Sequence, residues 1–206
     1  YRFALQYDGL PTAFYLPMMH DDVFKAIKGA GTPPPSMMED DQLVLLVETL
    51  KTALRVDGDV VEVGCWQGGS AWYLCQALAA LKEDRSVYLF DLFEKADPAK
   101  GRAVMSSEQI RRQLSFYPNA SLVIGDVQET ITALEDRQIA FLHYDNLYQQ
   151  KVFAYLWSRM TSGGMALFDN YGHVRSLSAM LDDFAAKAGT RVTYIPPFGQ
   201  GLLIKP

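Results

Sequence analysis

The sequence predicts an α/β fold in which a mostly parallel seven-stranded sheet carries helices on both faces and ends in an antiparallel hairpin. Apolar, β-branched segments alternate with segments of helical periodicity through the middle of the chain, which is the pattern of a parallel sheet joined by crossover helices. The last two apolar segments, 191–195 and 201–205, are separated by only five residues. Such a short connection suits a hairpin and excludes a crossover helix, so the sheet should end antiparallel.

The predicted elements follow one another closely from residue 36 onward. Ser36 and Glu39 form an S-x-x-E capping box, and apolar residues at helical spacing extend the helix that it begins to about Arg55. One more helix, late in the chain, ends at Gly189. Between these two helices, strands are predicted at 59–64, 86–91, 120–125, 139–144 and 164–169, and helices at 69–82, 107–116, 127–134 and 148–160.

Length and composition limit the classes of protein that the chain can belong to. Its 206 residues, 49% of them hydrophobic, suffice for one domain with a substantial core, which we place at 36–206. The net charge of −5, without a stripe of basic residues, argues against a nucleic-acid surface. No apolar run is long enough to span a bilayer, and the first residues do not resemble a signal peptide. We therefore expect a cytoplasmic protein without a nucleic-acid or membrane partner.

Residues 1–35 differ from the rest of the chain because they combine five prolines with several aromatic side chains and show no sustained period. Such a segment is too apolar for a solvated tail. We interpret it as an N-terminal arm or lid that covers the active site or contacts a partner subunit, which favours a homo-oligomer. Ordinary packing on its own domain explains the composition equally well.

The stretch DVVEVGCWQGGSAWYLCQAL, which begins at Asp59, predicts a buried strand, a glycine-rich turn and a helix. This is the pattern of a cofactor-binding unit. A dinucleotide fingerprint would require glycine where Trp66 stands, so a nicotinamide cofactor is disfavoured. The next strand, SVYLFD, ends in Asp91, whose carboxylate can accept both ribose hydroxyls of either type of cofactor.

Two kinds of motif resemble known methyltransferases. The turn EVGCWQGG resembles the first motif of class I S-adenosylmethionine-dependent methyltransferases, and FLHYDNLY with GGMALFDNYG resembles the paired acidic motifs of the macrocin O-methyltransferase family. The resemblance implies a Rossmann-like methyltransferase fold and methylation of a small-molecule hydroxyl on a sugar-bearing natural product or a similar compound. On this basis S-adenosylmethionine should be bound by Glu62, Gly64, Gly68, Ser70, Asp91 and Asp126.

The paired acidic motifs also imply a magnesium site. Asp145 and Asp169 end strands that are neighbours in the resembled fold, about 5 Å apart, and Asn170 adds an amide oxygen. The family pattern has further carboxylates, because the first motif is one residue longer there and the position of Asn170 is an aspartate. A site with two carboxylates should bind the ion more weakly than one with three.

Two residues are predicted to be catalytic. Asp145 would act through the metal, and His173 is the proposed general base because it opens a helix, whose positive end favours a neutral imidazole. His143, two residues before Asp145, is the second candidate for the base. Two other functions remain open: a nicotinamide-dependent oxidoreductase, which Trp66 and the terminal hairpin disfavour, and a non-catalytic binding protein with an eroded metal site.

Overall fold

The structure of the protein is a computed structural model that describes residues 20–93, 105–146, 149–196 and 199–206. The described α-helices are α1 (Asp22–Gly29), α2 (Asp40–Ala53), α3 (Gly69–Leu81), α4 (Ser107–Gln113), α5 (Val127–Thr130), α6 (Gln150–Arg159) and α7 (Arg175–Lys187), and a 3-10 helix (Ile131–Leu134) directly follows α5. The strands are β1 (Asp59–Val63), β2 (Val87–Asp91), β3 (Ala120–Ile124), β4 (Ile139–Tyr144), β5 (Met160–Phe168), β6 (Thr193–Ile195) and β7 (Gln200–Ile204).

All seven strands form one sheet in the order β3-β2-β1-β4-β5-β7-β6. Strands β1 to β5 are parallel, and β7 pairs antiparallel with both β5 and β6. The predicted fold class is therefore confirmed, including the antiparallel hairpin. The chain moves outward from β1 to β3 and then returns to the other side of β1 at β4, and ligands of open α/β sheets bind at such a switch point, beyond the carboxyl ends of the strands.

Helices cover both faces of the sheet and divide its core into two layers. On one face, α2 and α3 bury leucines and Trp72 against alternate residues of the central strands. On the other face, α6 and α7 do the same, with Phe153 in contact with the rings of Tyr144, Phe168 and Phe184. None of the helices in the described ranges is long and apolar enough to cross a membrane.

Helix α1 lies within the predicted N-terminal arm, residues 1–35. Asp21 caps this helix by accepting hydrogen bonds from the backbone N–H groups of Val23 and Phe24. Val23, Phe24 and Ile27 are buried in the same core layer as α2 and α3. Residues 22–29 therefore pack on the domain, whereas residues 1–19 lie outside the described part of the chain.

Two predicted boundaries lie furthest from the observed ones. Helix α2 begins at Asp40, because Glu39 is its N-cap and Gln42 completes the capping box, while the hydroxyl of Ser36 accepts a hydrogen bond from the Met38 N–H instead. Strand β5 begins at Met160 and not at 164. Its register against β4 shifts between Met160 and Met165, and this irregular stretch contains Gly163 and Gly164.

The strand register brings the predicted acids into one row. Val63 pairs with both Phe90 and Tyr144, and Tyr144 pairs with Phe168. The residues that directly follow these four are Gly64, Asp91, Asp145 and Asp169. Because side chains alternate along a strand, this row lies on the face of the sheet that α2 and α3 cover. Glu62 and His143 lie on the same face, two residues earlier in their strands.

Candidate active site

The glycine-rich loop contacts the end of β4 directly. Gly64 has a φ of +95°, and a Cβ atom placed on it would lie 2.1 Å from the carbonyl oxygen of Asp145. The N–H of Asp145 donates to Val63 O at 2.8 Å, and the N–H of Gly64 donates to Phe90 O at 2.9 Å. Only glycine allows this backbone contact, so the loop and the end of β4 pack directly against each other.

Asp91 supports the same loop from the end of β2. Its Oδ2 accepts hydrogen bonds from the N–H groups of Cys65 and Trp66 at 2.7 and 2.8 Å, and its Oδ1 accepts one from Leu92 N at 2.6 Å. A carboxylate has about four acceptor positions, so these three bonds leave capacity for one more donor. Asp91 thus lies beside the loop with acceptor capacity left for the ribose, and its binding of both ribose hydroxyls stays a prediction.

Three non-glycine residues beyond the strand ends have left-handed backbone. Trp66 follows β1 with a φ of 44°, Phe93 follows β2 with a φ of 47°, and Asn170 follows β5 with a φ of 64°. Such conformations cost about 1–3 kcal/mol each and concentrate at functional sites. The indole Nε1 of Trp66 is also buried without a hydrogen-bond partner in the described ranges. These features mark the carboxyl edge of the sheet as the functional one.

A buried ion pair lies beneath the row of acids. Glu62 and His143 are both 0% exposed, and the carboxylate Oε1 lies 2.8 Å from the imidazole Nδ1. Burial alone would lower the pKa of His143, but the hydrogen bond to Glu62 and the charges of Glu62, Asp145 and Asp169 together raise it. Glu62 was predicted to contact the cofactor, but a side chain without accessible surface cannot do so in this conformation.

Cys65 lies in the loop but is not a candidate nucleophile. Its side chain is buried, and burial together with the charges of Glu62, Asp91 and Asp145 raises the pKa of the thiol well above its ordinary value. The thiolate, which is the reactive form, is therefore suppressed. Cys65 contributes volume to the loop and no chemistry.

The three predicted metal ligands lie together at the ends of β4 and β5. The N–H of Asp169 donates to Tyr144 O at 3.1 Å, which fixes the two strand ends side by side. The Asn170 side-chain amide donates to Asp145 Oδ1 at 3.4 Å. This set holds two carboxylates and an amide, and no cluster of three or more His, Cys, Asp or Glu side chains suited to a metal occurs in the part of the chain that the structure describes.

Sequence analysis missed one polar neighbour of these acids. Gln42, on α2, donates its side-chain amide to Asp169 Oδ1 at 3.0 Å, and both residues are buried, with exposures of 8% and 9%. The partners lie 127 positions apart. The only local signal was the place of Gln42 three residues after Glu39, which indicates a helix cap and not a site residue.

The remaining predicted residues lie around this centre. Gly68 is the N-cap of α3, and Ser70 is buried in its first turn. Asp126 is exposed and caps α5, with its Oδ1 accepting from Gln128 N at 2.9 Å. His173 is exposed in the turn before α7, and its N–H donates to Asn170 O at 3.1 Å. The last two residues of the motif that begins at Asp145, 147 and 148, lie outside the described residues.

This sheet order, with a glycine loop after β1 and acids at the following strand ends, defines a Rossmann-like methyltransferase that uses S-adenosylmethionine. The model of the family described as Macrocin-O-methyltransferase (TylF) matches residues 31–194. The match covers most of the chain, and the protein belongs to this family of O-methyltransferases. The predicted resemblance is confirmed, and membership of this methyltransferase family replaces the alternative of a nicotinamide oxidoreductase.

Similar solved structures have the same fold. The O-methyltransferase NovP superposes with a TM-score of 0.71 at 19% identity, over 82% of this chain and 81% of that one. CalS11, described as a calicheamicin methyltransferase, gives a TM-score of 0.67 at 16% identity, over 93% and 94%. Its apo form, described as a TDP-rhamnose 3'-O-methyltransferase, gives 0.66 at 18% identity, over 93% and 96%. No curated protein sequence matched the chain.

Proposed function

We propose that this O-methyltransferase transfers a methyl group to a hydroxyl of a sugar-bearing natural product or a similar small molecule, with Mg²⁺ at the ends of β4 and β5. The observation that carries the proposal is the position of Asp145 and Asp169 beside the glycine loop. Gly64 of this loop contacts the backbone of Asp145. An acceptor oriented by these acids would lie next to the cofactor. The likeness to CalS11, described as a TDP-rhamnose 3'-O-methyltransferase, supports a sugar hydroxyl as the acceptor.

The cofactor would be held by the loop after β1 and by the acids at the ends of β2 and β3. Asp91 has one remaining acceptor position for a ribose hydroxyl, and the buried indole N–H of Trp66 is a donor without a partner in the described ranges. The Oδ1 atom of Asp126 accepts the hydrogen bond that caps α5, so its second oxygen remains for the adenine amino group. When bound, S-adenosylmethionine supplies the methyl group from its sulfonium centre.

The donor set fits Mg²⁺. This ion takes oxygen ligands, needs only one or two carboxylates from a protein, and keeps several waters. Asp145 and Asp169 supply the carboxylates, and a half-turn of the Asn170 amide would present its oxygen where its nitrogen now faces Asp145. When bound, the ion supplies Lewis acidity that makes an acceptor hydroxyl easier to deprotonate.

The residues of the chain then have separate tasks. Asp145 and Asp169 orient the acceptor hydroxyl toward the cofactor, since methyl transfer is a displacement that depends mostly on alignment. His173, exposed in the turn that Asn170 begins, is the proposed base that receives the hydroxyl proton. The hydrogen-bonded pair of Glu62 and His143 is buried beneath Asp145 and Asp169, so in this proposal it does not contact substrate.

We also propose that the N-terminal segment, residues 1–35, covers the active site or contacts a partner subunit. Its residues 22–29 in addition pack on the domain, because Val23, Phe24 and Ile27 are buried in the core. Removal of residues 1–19 should leave a folded protein with reduced turnover or a smaller assembly, as measured by transfer assays and light scattering. Removal of 1–35 should in addition lower thermal stability. A homo-oligomer and a cytoplasmic location remain our predictions.

The proposed function is tested by transfer of a radiolabelled methyl group from S-adenosylmethionine to TDP-rhamnose and to a panel of glycosylated aromatic compounds. We expect labelled product from at least one sugar hydroxyl with Mg²⁺ and none after chelation with EDTA, with activity restored by excess Mg²⁺. Equal product with and without EDTA would refute the metal assignment. Labelling of non-sugar hydroxyls alone would refute the acceptor class.

A further inference from the structure

We propose that Gln42 is a positioning residue for Asp169. Through this contact, residues 35–42 connect the ends of β4 and β5, where the acceptor would bind, with helix α3, which follows the glycine loop. This inference rests on the proposed function of Asp169. Both ends of the Gln42 side chain are engaged: Oε1 accepts from Glu39 N at 2.8 Å, and Nε2 donates to Asp169 Oδ1 at 3.0 Å. The side chain is thus clamped between a helix cap and the acid.

The partners fix the orientation of the Gln42 amide. A flipped amide would place its oxygen against the Asp169 carboxylate and its NH₂ group against the Glu39 N–H, and neither contact is a hydrogen bond. In the observed orientation Gln42 donates to Oδ1 and sets the rotamer of Asp169. The second carboxylate oxygen, Oδ2, accepts no hydrogen bond from the described residues, so it is the atom presented to a ligand.

The same segment also contacts the cofactor side of the site. A Cβ atom on Gly69, the first residue of α3, would lie 2.6 Å from both the carbonyl oxygen of Pro35 and the Cβ of Ser36. Residues 35 and 36 therefore lie directly on the first turn of α3, where the glycine loop ends. Seven residues after Pro35, Gln42 reaches Asp169, so one short stretch of chain joins the two sides.

Two substitutions separate the tasks of Gln42. Gln42→Glu keeps the helix cap, since glutamate is a usual residue at this position of a capping box, but it removes the donor and faces Asp169 with a second carboxylate. Gln42→Met keeps the length of the side chain and removes both hydrogen bonds. Thr49→Val is the matched control, because Thr49 is a buried polar residue of α2, 5% exposed and two turns further along, without a hydrogen bond to Asp169 in the described structure.

The first measurement is a crystal structure of each full-length variant. We expect the Asp169 carboxylate to leave its present rotamer in Gln42→Glu and Gln42→Met and to keep it in Thr49→Val. Gln42→Glu should melt below the native protein, because two buried carboxylates then repel each other, so circular dichroism must first show native helix content before displacement of Asp169 is attributed to the lost donor. An unmoved Asp169 in both Gln42 variants would overturn the proposal.

The second measurement titrates each protein with Mn²⁺ alone, followed by electron paramagnetic resonance. Loss of the hydrogen bond that orders Asp169 should weaken Mn²⁺ binding by about threefold to tenfold in Gln42→Met and leave Thr49→Val unchanged. Unchanged affinity in Gln42→Met would overturn the positioning role. If the native protein binds no Mn²⁺, the metal assignment fails, and the position of Asp169 in the crystals still decides the inference on Gln42.

Discussion

The two sides of the active site hold their acids by different means. On the cofactor side, at the ends of β1 and β2, Asp91 accepts hydrogen bonds from three backbone N–H groups. On the acceptor side, at the ends of β4 and β5, Asp145 and Asp169 accept hydrogen bonds from the side-chain amides of Asn170 and Gln42. Backbone donors follow from the loop conformation and tolerate changes of side chain, whereas each amide is lost or reversed by one substitution. The acceptor side is therefore the more readily changed one.

The largest effect is expected where the two sides meet. In Gly64→Ala the new Cβ would overlap the Asp145 carbonyl oxygen, and the φ of +95° would be strained for alanine. Overpacking and backbone strain together should cost more than about 3 kcal/mol of stability. Urea unfolding measures this loss, with Gly29→Ala as the control, because nothing lies within 4 Å of a Cβ there. Native stability in Gly64→Ala would show that the two sides are not joined at this contact.

The next effect concerns the cofactor side alone. Asp91→Ala removes a charged acceptor from the ribose and from the N–H groups of Cys65 and Trp66. Binding of S-adenosylmethionine should weaken by about 1.5–3 kcal/mol, as measured by calorimetry on the folded variant. Thr49→Val provides the control. Native affinity in Asp91→Ala would mean that the ribose is held elsewhere.

The smallest effect concerns the acceptor side. Asn170→Asp keeps a residue type that tolerates the φ of 64° but replaces an amide donor with a carboxylate beside Asp145. Cation binding should tighten by up to about fivefold, corresponding to about 1 kcal/mol for an exposed charge. Without a cation, repulsion from Asp145 should lower the melting temperature slightly. A Mn²⁺ titration and a melting curve, each with and without the ion, measure both changes, and unchanged affinity would place the ion away from Asn170.

Sequence reasoning succeeded where structure is set by local patterns. The alternation of strands and helices and the short connection before Gln200 determined the sheet and its hairpin, and the strand-end positions of Asp91, Asp145 and Asp169 were evident from the apolar segments that precede them. Register then brings these acids into one row without further information. The family motifs supplied the class of enzyme.

The same reasoning failed where contacts span the chain. Nothing near Gln42 indicates that its amide reaches Asp169, because that contact depends on how α2 packs across β5. Glu62 was assigned to the cofactor since acids at strand ends usually face the crevice, but its register partner His143 draws it into the core. Helix α1 was missed because eight residues are too few to show a sustained period.

The most direct test of the two-sided account is a pair of titrations on three proteins. The native chain, Asp91→Ala and Asp169→Ala are each titrated with S-adenosylhomocysteine by calorimetry and with Mn²⁺ by electron paramagnetic resonance. We predict that Asp91→Ala loses affinity for the nucleoside and retains the ion, while Asp169→Ala loses the ion and retains the nucleoside. Loss of both ligands in either folded variant, or a native chain that binds no Mn²⁺ and transfers methyl groups at full rate in EDTA, would contradict the account.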